Sequence, residues 1–378
     1  MNKKYPLLFF STADWDSPYK TNKHYVAEAL CNLGYKVYFF ESFGLRKPIF
    51  YNKKDNSRIF KKIKKSFLIK KINKNLNIVS FLPIPLWSNY FIKNINLFFL
   101  NYFIKKFILK DRQFNIWTYH PYVPKDIMND ANKIIYHSVD DLSLIKGING
   151  KTFNLQEKNF IKKTNYIFVT SKNLLKKYPK NRTYYFSNVI NSNIINLKIN
   201  RNFFKNITKP IVGFFGNLTE SKLDYKLLLY TIKKLNQFEF IFIGAENENE
   251  RNRDLKKLDK FENTNFIGYK THKDTIKLAK NFSIGIIPFL KNKYTDNIFP
   301  MKYYEYIAAG IRVVSTNLSF TNDIDKKFIK VATSKKDFVN KIKTQIKKGN
   351  IKKNDRKKFL DEYSYIKRTK KMIKICKI

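Results

Sequence analysis

The chain has 378 residues, of which 43% are hydrophobic, enough for two domains with cores of their own; that composition excludes an intrinsically disordered chain. Lys and Arg number 75 against 29 Asp and Glu, a formal net charge of +46. Two readings stand for that excess, the codon bias of an AT-rich genome and attraction to a polyanion such as anionic lipid or nucleic acid.

Leu7–Phe10 is too short for a signal-peptide core, and Asp14 and Asp16 follow at once, so it reads as a buried first strand. A helical apolar pattern from His24 to Leu33 stops at Gly34, and Val37–Phe40 is the next strand, ending at Glu41. Strand, helix, glycine, strand opens a parallel α/β sheet. Residues 58–75 interleave seven lysines with Ile59, Ile63 and Phe67 on one helical face. This basic amphipathic segment is built either to lie on an anionic membrane or to pack its stripe on its own domain. Ile78–Leu82 is a strand, and residues 91–109 form an apolar helix broken by Lys93, Lys105 and Lys106. No run reaches the ~20 uninterrupted apolar residues of a membrane span.

Strands at Ile116–Tyr119 and Ile134–Val139 end at His120 and at Asp140-Asp141. A helix over 153–163, a strand at Tyr166–Thr170, a helix capped by Ser171 and a strand at Tyr184–Phe186 complete this half. Residues 199–209 are polar and end at Pro210, a linker, and the pattern then restarts with Ile211–Phe215, Gly216, a helix over 224–236 and the strand Glu239–Gly244. The division expected is therefore 1–200, 210–350, and a basic helix over 352–378 that packs back on the first domain. Two doubly wound domains in sequence bind ligands beyond the carboxyl ends of their strands. Cys31 and Cys376 are the only cysteines and have neither disulfide-framework nor metal-ligand spacing, which fits a reducing cytoplasm.

The most informative segment is Phe299-Pro300-Met301-Lys302-Tyr303-Tyr304-Glu305-Tyr306-Ile307-Ala308-Ala309-Gly310, followed by a Val313-Val314 strand. Pro300 can open a helix and Gly310 can end it. Lys302 and Glu305, three apart, share the first turn, where a lysine beside free helix amides suits a diphosphate and a carboxylate suits a ribose diol. This segment resembles the donor-site helix of the group 1 (family four) glycosyltransferases, in particular the teichuronic-acid and exopolysaccharide type. Further stretches are similar in order: Asp14-Trp15-Asp16 with Lys23-His24, Tyr136-His137-Ser138-Val139-Asp140-Asp141, Asn188-Val189, Gly213 to Leu218 with Lys222 and Asp224, Phe242-Ile243-Gly244, and Asn265 to Tyr269. Three positions depart from the family: Asn297 where many relatives carry a second Glu, Asn217 where they carry Arg, and His137 where Asp is usual.

The resemblance implies an α/β GT-B fold, two doubly wound Rossmann-like domains facing a cleft. It implies transfer of a sugar, of hexosyl type, from a nucleotide-diphosphate sugar to a bacterial cell-surface polysaccharide or lipid-linked glycan. Gly216, Asn217, Lys222, Lys302 and Glu305 would hold the donor, with Gly268 and Tyr269 at the base. Asp140, and behind it Asp141, would take the acceptor proton in an inverting reaction, or cap the next helix. Asp14 and Asp16 would form an acceptor-side loop or a simple turn, and His24 and His120 would be structural or stand on the acceptor side. No metal and no cofactor beyond the donor is expected, since lysines and helix amides can stabilise the leaving diphosphate. The expected location is cytoplasmic, peripheral on the inner membrane face through residues 58–75, with no nucleic-acid partner. The competing readings are a related nucleotide-sugar epimerase or phosphorylase, and a non-enzymatic basic binder of membrane or nucleic acid.

Overall fold

The computed structural model describes residues 4–17, 20–46, 66–84, 86–109, 113–145, 147–190, 194–246 and 253–378. They form two compact units, residues 1–187 with 365–378, and residues 188–364. The boundary therefore precedes the polar 199–209 stretch: Ile190, Ile194 and Phe204 are already buried in the core of the second unit. The basic tail is two helices rather than one. Lys353–Glu362 belongs to the second unit and Tyr365–Cys376 to the first, and the break falls where Ser364 bridges Ile190.

The first unit is one eight-stranded sheet: β1 Leu7–Phe10, β2 Val37–Phe40, β3 Leu68–Lys71, β4 Leu76–Ser80, β5 Asn115–Thr118, β6 Lys133–Ser138, β7 Tyr166–Val169 and β8 Thr183–Tyr185, in the order β3-β4-β2-β1-β5-β6-β7-β8. Every pairing is parallel except β3 with β4. β1, β2 and β5 are buried at every residue, as parallel strands covered on both faces must be, and the continuous apolar runs in the sequence have that cause. Of the 58–75 segment, residues 58–65 lie outside the described residues. Leu68–Lys71 is an exposed antiparallel edge strand rather than part of an amphipathic helix.

The C-terminal helix Tyr365–Cys376 is held on the first unit by Arg368, whose guanidinium donates to His137 Nε2 at 3.2 Å and to the Phe186 carbonyl at 2.7 Å. Burial, with Arg368 and Lys23 nearby, holds His137 well below the ordinary imidazole value. A neutral ring therefore accepts the arginine.

The second unit is a six-stranded parallel sheet: β9 Ile211–Phe215, β10 Glu239–Ile243, β11 Thr264–Gly268, β12 Ile284–Ile287, β13 Val313–Thr316 and β14 Ile329–Ala332, in the order β11-β10-β9-β12-β13-β14. Winding reverses between β1 and β5 in the first sheet and between β9 and β12 in the second. Such switch points leave a crevice beyond the carboxyl ends of the strands.

Candidate active site

The second switch point owes its shape to two missing side chains. Gly213 on β9 pairs with Gly285 on β12, and a Cβ on either would overlap the ring of Phe282 or Tyr306. Into that space Tyr306 brings its hydroxyl to the Gly213 and Ile286 carbonyls, 3.2 Å from each. The helix Lys302–Ala309 is thereby drawn across the switch point. It ends at Gly310, which is left-handed with φ 89°, and its leading loop is tied down by the buried Asn188 amide, which donates to the Phe299 carbonyl at 2.8 Å.

This seats Lys302, half-buried, between the rings of Phe214 at the end of β9 and Phe289 after β12, 5.4 and 5.8 Å from their centroids. Its amine lies against the backbone of Gly216, where an added Cβ would collide with it. Burial pushes the amine down, Lys222 pushes the same way and Glu305 opposes both, leaving Lys302 titrating at about 8. A lysine on the edge of losing its proton, beside a second cation, is a group that gains from a bound anion.

Gly216 belongs to a chain of three. Its amide donates to the Ile243 carbonyl at 2.8 Å, and the Gly244 amide donates to the Gly268 carbonyl at 2.9 Å. Their φ values are 125°, 149° and 70° for Gly216, Gly244 and Gly268. The ends of β9, β10 and β11 thus present bare backbone, the surface a phosphate or a flat base can approach. Asn217 follows this turn, and Tyr269 is 43% exposed beside Gly268. Lys222 sits in the same loop, its ammonium over the Tyr294 ring.

Glu305 is buried, and His272 places Nε2 2.7 Å from its Oε1. His272 begins the helix His272–Ala279, capped by Thr271. It is the residue of this site that the sequence reading passes over: it lies 33 positions from Glu305 and in no local pattern with it. Asn297 uses its amide on the Lys293 carbonyl at 2.7 Å.

In the first unit, Asp140 follows β6 and lines a small hollow with Thr12, Lys23, Tyr119, Val139 and Leu142, at the switch point between β1 and β5. The tandem acids part company. Asp141 caps the turn Leu142–Leu144, accepting from Ser143 N at 3.2 Å and Ser143 Oγ at 2.6 Å, and pairs with Lys177 at 2.9 Å. Burial raises its carboxyl, but the Lys177 and Ser143 hydrogen bonds outweigh that and leave it below the usual range.

The two histidine candidates of this unit are packed into its framework. His24 is fully buried, receives the Thr21 amide at 3.0 Å and lies 2.9 Å from the Asp14 carbonyl; burial lowers it to about 4. His120 is buried against Phe43, and burial lowers it to about 3. Asp16 is exposed in a turn whose Trp15 amide is held by Glu41 at 2.9 Å. Among the described residues no group of three His, Cys, Asp or Glu could hold a metal.

Residues 209–348 match the glycosyl transferases group 1 family. A stretch of 119 residues is 28% identical to a protein described as a teichuronic acid biosynthesis glycosyltransferase, TuaH of Bacillus subtilis strain 168; it covers 32% of this chain and 30% of that protein's length. Among solved structures, sucrose-phosphate synthase from Thermosynechococcus elongatus superimposes with a TM-score of 0.73 at 13% identity over 98% of both chains. Anabaena Alr3699/HepE, solved with UDP and glucose, gives 0.64 at 11% identity over 98% of this chain and 99% of its own. At such identities the likeness is one of fold, that of the GT-B glycosyltransferases. The family match covers most of the second unit, and Gly216, Lys222, His272, Lys302 and Glu305 lie inside it.

Proposed function

We propose that the chain is a glycosyltransferase that moves a sugar from a nucleotide-diphosphate sugar to a cell-surface polysaccharide or lipid-linked glycan precursor, at the cytoplasmic face of the membrane. The observation that carries this reading is Lys302, held between two rings over the bare Gly216 turn, with the buried Glu305–His272 pair one helical turn away. In this reading Lys302 and Lys222 take the diphosphate, and the helix amides add to their field. Glu305, aimed by His272, takes the ribose hydroxyls, and the Gly268-Tyr269 edge meets the base. Positive charge at the leaving diphosphate is supplied by side chains and backbone, so transfer proceeds without a metal. Asp140 is the group available to take the acceptor proton. The match to a teichuronic acid glycosyltransferase supports a cell-envelope acceptor, and the chain's net charge of +46 supports work beside anionic lipid.

The test is thermal stabilisation by a panel of nucleoside diphosphates and their sugars. A ligand at 100-fold excess over its dissociation constant adds about 2.7 kcal/mol to the native state. One nucleotide series should raise the midpoint, and Lys302→Ala should abolish the shift while leaving the fold intact. Wild-type protein that is folded and unmoved by every nucleotide would remove the donor-site reading and return the chain to the class of basic binders.

A further inference from the structure

The helix Tyr90–Ile104 is apolar over most of its surface, interrupted by Lys93, Asn94 and Asn101. Its inner face, Asn96, Leu100, Phe103 and Ile104, is buried. Its outer face carries Phe91, Ile95, Phe98 and Tyr102 at intervals of four, three and four, one continuous stripe, with Phe99 beside it. Phe91 is 75% exposed and Phe98 66%. A helix that buries one apolar face and bares another of aromatic rings has a second solvent to meet.

Further exposed apolar residues adjoin the helix. Phe67 packs its ring on Phe103, 5.7 Å between centroids, and leads into β3, where Leu68 and Ile69 are exposed with Lys70 and Lys71 between them and Ile72. Lys93, Lys105 and Lys106 stand along and beyond the helix, Lys105 paired with Asp130 and Lys106 bonded to the Tyr102 hydroxyl. Charge decides between occupants. Between Asp55 and Asp111 the sequence contains eleven lysines and no Asp or Glu, and the acids that reach the helix, Asp126 at Asn101 and Asp130 at Lys105, come from outside that stretch. Two copies meeting here would set lysines against lysines. A surface that is apolar in depth and anionic at its rim satisfies both features, the rings entering the acyl boundary and the lysines reaching the headgroups.

The geometry points to the face formed by the Tyr90–Ile104 helix and the β3 edge as a docking surface for an anionic lipid bilayer. It lies within the first unit and does not rest on the donor-site reading. No described helix is long and apolar enough to cross a membrane, so the contact is interfacial.

The experiment is flotation of the full chain with vesicles of phosphatidylcholine alone and of phosphatidylcholine with phosphatidylglycerol. Wild type should float with the anionic vesicles and bind neutral ones at least about tenfold more weakly. A Phe91→Ser, Phe98→Ser, Phe99→Ser variant alters exposed residues only and should keep its thermal midpoint and any nucleotide-induced shift. Its binding to anionic vesicles should fall at least about tenfold. Three results overturn the proposal: no flotation of wild type, equal flotation of the variant, or a concentration-dependent dimer of wild type that the variant loses. A chain that floats as described but binds no nucleotide would remove the proposed activity and leave this surface standing.

Discussion

At the scale of single residues, Lys302 and Glu305 were legible because helix, glycine and strand signals surround them within a dozen positions. His272 was not, because its contact with Glu305 is made only by folding. The state of Lys302 was equally hidden, since burial and the charge of Lys222 set it. Its amine titrates at about 8, so the charge offered to a diphosphate is present below that value and lost above it. Nucleotide affinity should therefore fall as pH rises from 7 to 9.5, by up to about tenfold per unit past the midpoint. A titration of binding against pH checks this, and a flat wild-type profile would contradict it. The same depression means that the unfolded chain holds the proton over the window from about 8 to the usual 10.5. Without ligand, this group then makes stability rise with pH through that window.

At the scale of elements, the buried strands were readable from apolar runs, because a parallel strand covered on both faces tolerates nothing else. β3 was not. Leu68-Ile69-Lys70-Lys71-Ile72 is too short a mixture of apolar residues and lysines to separate a helical stripe from an exposed edge strand, and only pairing with β4 decides. The glycine chain at the ends of β9, β10 and β11 gives a contrast. Gly244 has φ 149°, and a Cβ there would run into the Gly216 carbonyl, whereas a Cβ on Gly268 meets nothing within 4 Å. Gly244→Ala should cost well over 1 kcal/mol and displace the Gly216 turn, while Gly268→Ala should cost about 1 kcal/mol for its left-handed backbone alone. Urea unfolding of the two variants separates these outcomes, and equal stability would refute the close packing at Gly216.

At the scale of the whole molecule, two units were legible from the restart of the strand–helix pattern at Ile211. Their seam was not, because the polar 199–209 stretch is flanked by residues that already serve the second core. The units also differ in their titratable cores. His24, His120 and His137 are all fully buried in the first unit, and burial holds each below its ordinary value, His24 at about 4 and His120 at about 3. Their contribution is complete above about 6.5 and is lost as pH falls through the folded values, about 3 kcal/mol for His24 alone. Trp15, Trp87 and Trp117 lie in the same unit. Tryptophan fluorescence should therefore report acid unfolding of the first unit between pH 6.5 and 4, and a signal unchanged down to pH 4 would count against neutral buried rings.

Arg368 reaches back to His137 across 231 positions of sequence, and that has a consequence for biosynthesis. Residues 188–364 are contiguous and can close as soon as they leave the ribosome. The first unit, begun earlier, waits for residues 365–376 before its arginine clasp can form. Until residues 365–376 are in place, the first sheet stands with the Tyr25 and His137 sites uncovered, open to chaperones.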